Sequence, residues 1–222
     1  MPDKALRAGT RKSPLALKQV EEVLSKLREF YPESNIEVVG IDTYGDRDKA
    51  TPISDMEGRD FFTREIDAAL LRGEIDFCVH SAKDLPDTTA KGLIIAAITK
   101  AKDPHDALVS KDNLKLNELR IGARIGASSL RRKTQLKEYR SDFNILDIRG
   151  TIEERLDRLD NDGLDAIIVA SCALIRLGLE KRISQRIPGE ILKPHPLQGA
   201  LAIVTREDKK ELIDLLKVLD DK

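Results

Sequence analysis

Residues 76–86 read Asp-Phe-Cys-Val-His-Ser-Ala-Lys-Asp-Leu-Pro. A short apolar run ends at His80-Ser81, Lys83 and Asp84 follow side by side, and Pro86, with its fixed φ and no N–H, stops regular structure. The pattern predicts a buried strand whose last strand-like residue is Val79, with Lys83 and Asp84 just past its C-terminal end. In open α/β sheets that end is where ligands bind. A lone Lys-Asp pair is an ordinary solvated turn. The reading gains weight only if other cations fall at equivalent points along the chain.

Working outward toward the N-terminus, 75–79 is preceded by a helix marked by Phe62, Ile66, Ala69 and Leu70 and stopped near Gly73. Before it lies a polar stretch from Thr43 to about Gly58, long for a connection in a compact domain, and a strand at 36–41. Ser13 is a good N-cap and Pro14 suits the first helical position, so a helix starts there, after a strand at 7–9. Leu17, Val20, Leu24, Leu27 and Tyr31 give that helix one apolar face. Toward the C-terminus, 93–98 is a buried strand and Asp103-Pro104 a turn.

The pattern then repeats. A strand at 121–125 runs into Gly126-Ala127-Ser128-Ser129-Leu130-Arg131-Arg132, a small-residue turn that opens a helix. Arg149-Gly150 ends a strand at 143–148, and Thr151 with Glu154 forms a capping box with Arg155 in the next turn. A strand at 165–170 leads to Ser171-Cys172-Ala173, with Arg176 on a segment closed by Gly178. Residues 194–199 cross back to a strand at 200–205 and an amphipathic helix at 211–219. The alternation predicts an α/β protein of two lobes with mixed sheets, residues 1–100 plus 199–222 and residues 101–198. Two crossings, near Asp103-Pro104 and 194–198, form the hinge.

Arg11, Lys83, Arg131, Arg132, Arg149, Arg155 and Arg176 all follow strand ends or open helices, where solvated arginines have no reason to collect. Cations in a first helical turn oppose the helix dipole, so a ligand accounts for them better than helix stability does. Forked donors and backbone N–H nests in a cleft suit a ligand with several carboxylates or phosphates. Asp84 is the one acid among them, able to stabilise a developing cation or to exchange a proton with a ligand nitrogen. The 38 basic and 39 acidic residues nearly cancel, which argues against a nucleic-acid partner. No run approaches the roughly 18 apolar residues of a membrane span. Residues 1–13 have no signal core, and Cys78 and Cys172 in apolar runs make no disulfide framework, so the expected location is cytoplasmic. His80 reads as a core histidine, and no metal-like spacing occurs.

RAGTRKSPLALKQVE, EIDFCVHSAKDLP, KDPHDALVS, GASSLRR, ILDIRGTIEERLDRLD, DAIIVASCALIRLGL and LQGALAI resemble, in order and spacing, consecutive segments of the porphobilinogen deaminase (hydroxymethylbilane synthase) family. The resemblance implies two lobes of type II periplasmic-binding-protein topology. It also implies a transferase that polymerises porphobilinogen to a linear tetrapyrrole, releasing ammonia and extending a dipyrromethane cofactor. Asp84 matches the catalytic aspartate. Arg11, Ser13, Lys83, Ser129, Arg131, Arg132, Arg149, Arg155, Arg176 and Gln198 match residues that hold the acetate and propionate arms. The expected partners are porphobilinogen and the growing oligopyrrole, with no nucleic acid or membrane, and the expected state is a monomer.

The sequence departs from the family pattern in places. Gly58-Arg59-Asp60-Phe61-Phe62 stands for GKGLF, Tyr44 for a basic residue, Ala127 for threonine, Thr151 for asparagine, and residues 194–200 for PAVGQGA. Lys222 falls about where the family's third α/β domain begins, which carries the cofactor-tethering cysteine. The expectation is that this domain is absent, with Cys172 as a substitute tether. A non-catalytic relative that binds a pyrrole or another polycarboxylate is the alternative reading.

Overall fold

The computed structural model describes residues 5–48, 51 and 60–221. Gly58, Arg59 and most of the polar stretch expected as a long loop lie outside those residues. The chain forms two compact units. The first holds the described residues up to 47, from 60 to 101 and from 200 onward; the second holds 48, 51 and Lys102–Gly199.

The first unit opens with β1 (Leu6–Arg11), α1 (Pro14–Phe30), β2 (Ile36–Ile41), α2 (Tyr44–Arg47), α3 (Arg64–Leu71), β3 (Phe77–Ser81) and β4 (Leu93–Ile98). The second contributes β5 (Asp106–Ser110), β6 (Arg124–Gly126), α4 (Leu130–Tyr139), β7 (Asn144–Leu146), α5 (Ile152–Asn161), β8 (Ala166–Ala170), α6 (Ser171–Arg176) and β9 (Gln185–Ile187). The chain then re-enters the first unit as β10 (Leu201–Arg206) and α7 (Lys210–Leu216), followed by a 3-10 turn at Lys217–Leu219.

Each unit is built on one five-stranded mixed sheet, of order β2-β1-β3-β10-β4 in the first and β7-β6-β8-β5-β9 in the second. In both, one strand runs antiparallel to its neighbours: β10 against β3 and β4, and β5 against β8 and β9. The other pairs are parallel. The first core packs Val20, Val23, Leu24 and Leu27 of α1 against Phe77 and Val79 of β3, Leu201 and Ile203 of β10, and Leu216 of α7. The second packs Leu108, Ile125, Leu136, Phe143, Ile168 and Ile187.

The helix start at Ser13-Pro14 forms as its chemistry dictates. Ser13 is extended at φ -63°, ψ 147°, its side chain accepts from the Ala16 N–H, and Pro14 is the first helical residue. The apolar face of α1 is Ala16, Val20, Val23, Leu24 and Leu27, whereas Leu17 is 42% exposed, because it falls at the edge of that stripe. Strand β3 runs two residues past Val79, since His80 and Ser81 pair with Ala202 and Leu201 of β10. Ile121 is no strand residue. It is 82% exposed in a turn with Gly122, and β6 begins only at Arg124. Strands β5 and β9 and the short α2 were not foreseen.

Asp67, in the first turn of α3, is half-buried. Burial pushes its carboxyl up to about 6; a hydrogen bond with Thr63 draws it down and Asp60 pushes it further up. A carboxyl whose folded value is raised stabilises the fold below its unfolded value of 3.8, and that contribution is lost as pH rises through about 6. Asp67→Asn is therefore expected to raise the melting temperature at pH 8 and to change it little at pH 4. The gain is about 1 kcal/mol, discounted because the group is only partly desolvated. Equal shifts at both pH values would refute the assignment.

Candidate functional site

In the first unit, β1 delivers Arg11 at its last position. The Arg11 Nε donates to both oxygens of Asp46 at 3.1 Å, its Nη2 donates to Asp46 as well, and its guanidinium lies 4.0 Å over the Phe62 ring. Burial pushes the Asp46 carboxyl up, but Arg11 and Thr43 more than offset this and hold it below the usual carboxylate range. Gly45 permits the arrangement: a Cβ there would fall 2.3 Å from Phe62 Cε1. Ser13 spends its hydroxyl oxygen on capping α1.

Beyond β3 the chain enters a 3-10 turn at Ala82–Asp84. The turn is anchored by the Ala82 N–H donating to the Ala200 carbonyl at 3.0 Å, and Gln19 Nε2 donates to Ser81 Oγ at 2.9 Å beside it. Lys83 and Asp84 are half-buried on this turn, and among the described residues Asp84 makes no ion pair. His80 is 5% exposed, with Nε2 3.1 Å from Cys78 Sγ. Burial pushes the imidazole down to about 4, while Asp84 pulls it up and Arg11 pushes it down. His80 is thus a neutral ring at pH 7 within electrostatic reach of both Asp84 and Arg11. The Cys78 thiol is pushed well up by burial.

In the second unit the small-residue turn after β6 behaves as read: Ser129 caps α4, accepting from the Arg132 N–H at 3.4 Å, and Ser128 Oγ donates to the Ile148 carbonyl at 2.6 Å. The two arginines converge on a carboxylate from β5. Asp106 Oδ1 accepts from Arg132 Nε at 3.0 Å and Nη2 at 2.6 Å, and Oδ2 accepts from Arg131 Nη2 at 2.7 Å. Gln198 joins them, donating to Asp106 Oδ1 at 3.0 Å and to the Pro104 carbonyl at 2.7 Å. Burial pushes the Asp106 carboxyl up, and the two arginines outweigh it and hold it below the usual range.

At the β7 to α5 connection the full capping box forms between Thr151 and Glu154. Gly150 has φ +106°, and a Cβ there would meet Glu154 Oε2 at 2.4 Å, so glycine is needed for both reasons. Arg155 Nε donates to the Gly150 carbonyl at 2.9 Å, and Arg149 Nη2 donates to the Asp48 carbonyl at 2.7 Å. Arg176, only 8% exposed, donates to the Gly199 carbonyl at 2.9 Å. Cys172 is packed at 5% exposure on α6.

Ser129, Arg131, Arg132 and Gln198 thus share one network, and Arg149 and Arg155 flank one turn. Asp46 and Asp106, the acids that orient these cations, were missed. Their signal was present, since Asp46 closes the Thr43–Asp46 turn and Asp106 lies in KDPHDALVS, but each partner is remote in sequence.

A family model described as porphobilinogen deaminase, dipyromethane cofactor binding domain, matches residues 6–214. A porphobilinogen deaminase of Natranaerobius thermophilus is 46% identical over 97% of this chain and 70% of its own length. That of Brevibacillus brevis is likewise 46% identical, over 97% of this chain and 70% of its own. Among solved structures, the methionine binding protein MetQ superposes with TM-score 0.57 at 16% identity, covering 97% of this chain and 89% of that one. A nutrient binding protein from Burkholderia cenocepacia bound to methionine gives TM-score 0.57 at 14% identity, covering 96% and 90%. At such identities these two speak to the fold alone, which is of the two-lobe periplasmic-binding-protein type.

Proposed function

This chain belongs to the porphobilinogen deaminase family, and from that premise we propose how its residues divide the work. The family reaction is a transfer that joins porphobilinogen units into a linear tetrapyrrole with release of ammonia. The difficult moment is the departure of ammonia from the aminomethyl carbon, which leaves positive charge on the pyrrole.

Asp84 is the group that meets that charge. Its carboxylate accepts a hydrogen bond from the pyrrole N–H and stabilises the cation electrostatically, an interaction stronger in the transition state than in the ground state. The observation that carries the assignment is its setting. Asp84 stands half-buried on the 3-10 turn that ends β3, and the neighbouring imidazole, pushed down to about 4 by burial, does not neutralise it.

The donor set fits the carboxylate arms of a dipyrromethane, because Arg11, Lys83, Arg131, Arg149, Arg155 and Arg176 supply cations and Ser13 and Ser129 supply neutral polar groups, while Arg132 and Gln198 are spent on bracing Asp106. When bound, that group offers the pyrrole carbon to which the next unit is joined. Within the second unit Arg131, held by Asp106 with Ser129 nearby in the same turn, offers a grip for an acetate or propionate arm; within the first, Arg11, stacked on Phe62 and braced by Asp46, offers another. Both cysteines are buried, Cys172 at 5% exposure, a setting that argues against the substitute-tether role expected for Cys172.

The proposal has the protein acting as a cytoplasmic monomer on a small molecule. Neither Cys78 nor Cys172 forms a disulfide, which supports a reducing compartment, and among the described residues no helix is long and apolar enough to cross a membrane. The test is porphobilinogen supplied to the purified protein, with depletion followed by Ehrlich's reagent and ammonia measured in parallel. Depletion with one ammonia released per porphobilinogen consumed is expected; binding without depletion would establish the non-catalytic alternative.

A further inference from the structure

We propose that Asp106 is the positioning residue of the arginine pair, fixing Arg131 as an outward-facing carboxylate grip and holding Arg132 as its buried brace. This rests on the reading that Arg131 binds a carboxylate arm of the substrate.

The hydrogen-bond inventory supports the division of labour. Four donors converge on Asp106: Nε and Nη2 of Arg132 and Nε2 of Gln198 on Oδ1, and Nη2 of Arg131 on Oδ2. Its side chain is 0% exposed, so it is a fixed, enclosed element of the fold that braces the arginines and does not itself meet a ligand. Arg132 is nearly as occupied. Besides Asp106, its Nη1 donates to the Ile168 carbonyl and its Nη2 to Gln198 Oε1, both at 3.4 Å, and its side chain is 7% exposed.

Arg131 differs. Its Nη2 is held by Asp106 and its Nη1 by the Lys193 carbonyl, and its side chain remains 26% exposed. Two bonds on the terminal nitrogens stop the guanidinium from rotating while leaving the Nε edge outside that clamp. The charge arithmetic agrees: one carboxylate against two guanidiniums leaves one positive charge, placed on the more exposed partner. The same contact explains an anomaly of α4. Two arginines in a first turn oppose the helix dipole, and an anion from β5 compensates them there.

Calorimetric titration with porphobilinogen, alongside steady-state consumption and thermal unfolding, tests the role on Asp106→Asn, Asp106→Glu and Arg131→Ala. Folded Asp106→Asn is expected to raise Kd and KM by about 10- to 100-fold, the range seen when groups that orient metal ligands are removed. Its kcat should stay within about threefold, since the interaction lost is one of binding. A purely structural role would lower the active fraction and leave KM and Kd unchanged, and that result overturns the proposal. If Asp106→Asn does not fold, Asp106→Glu decides in the same way, because one added methylene displaces the carboxylate from both guanidiniums while keeping the charge. Failure of both to fold assigns Asp106 to the core and also overturns the proposal. Arg131→Ala separates the two claims: unchanged porphobilinogen affinity there refutes the underlying reading. Weakened affinity in Arg131→Ala with an unchanged Asp106→Asn refutes the positioning role alone.

Discussion

Asp84→Asn is expected to slow porphobilinogen turnover by about 10²- to 10⁴-fold, the loss usual when a positioned acid or electrostatic stabiliser is removed. Porphobilinogen affinity should stay close to that of the wild type. The asparagine keeps the shape and one acceptor oxygen but not the negative charge, and the charge is needed only once ammonia begins to leave. The effect should therefore appear in kcat and not in KM. The half-buried position strengthens the interaction, since a charge partly withdrawn from water is less screened. Rapid-quench measurement of ammonia release gives the chemical step directly. A variant that releases ammonia within about tenfold of the wild-type rate would remove Asp84 from the chemistry.

Arg132→Met is expected to cost stability on a comparable scale, about 3–5 kcal/mol, because it strips the main partner from a fully buried carboxylate. For a chain of this size that corresponds to a fall in melting temperature on the order of 10 °C. Arg132→Lys should recover little, since a point charge cannot reproduce the Nε and Nη2 fork on Asp106 Oδ1. Combining Arg132→Met with Asp106→Leu should restore part of the loss by removing the stranded charge. The Asp106 carboxyl is held low in the fold, so its contribution is present above the unfolded value of 3.8 and disappears as pH falls below it. The gap between wild type and Arg132→Met should narrow accordingly in acid. A loss under about 1 kcal/mol at pH 7 would mean that the pair is not the brace described.

These two experiments bracket what was readable from the chain alone. Local chemistry was legible: Ser13-Pro14 starts α1, Thr151 and Glu154 form the capping box of α5, and β2 and β4 have the expected bounds. In each case the signal lies within a few residues of its effect. Asp84 was legible as a strand-end acid for the same reason.

The rest depends on partners distant in sequence. Asp106 reads as one more polar residue after Asp103-Pro104, and nothing within ten residues of it reveals that arginines at 131 and 132 will bury it. Strand β5 was missed with it, since its five residues begin with that charge. Ile121 misleads in the other direction: an apolar residue just before a real strand reads as its first member, although it lies in a turn and is largely exposed, as scattered surface hydrophobes commonly are. Strand β9, three residues at the sheet edge beside β5, carries too little pattern to be seen.

The placement of β10 between β3 and β4 has a bearing on how the molecule is made. All five strands of the second sheet lie between residues 106 and 187, so that sheet can be completed while translation continues. The first sheet cannot close until residues 201–206 have cleared the ribosome, because both β3 and β4 pair with them. Nascent chains halted before residue 201 should therefore carry a protease-resistant second unit and an unfinished first one whose edges are open to chaperones, and the turn bearing Asp84 acquires its anchor only once Ala200 has been made, more than a hundred residues after the turn itself.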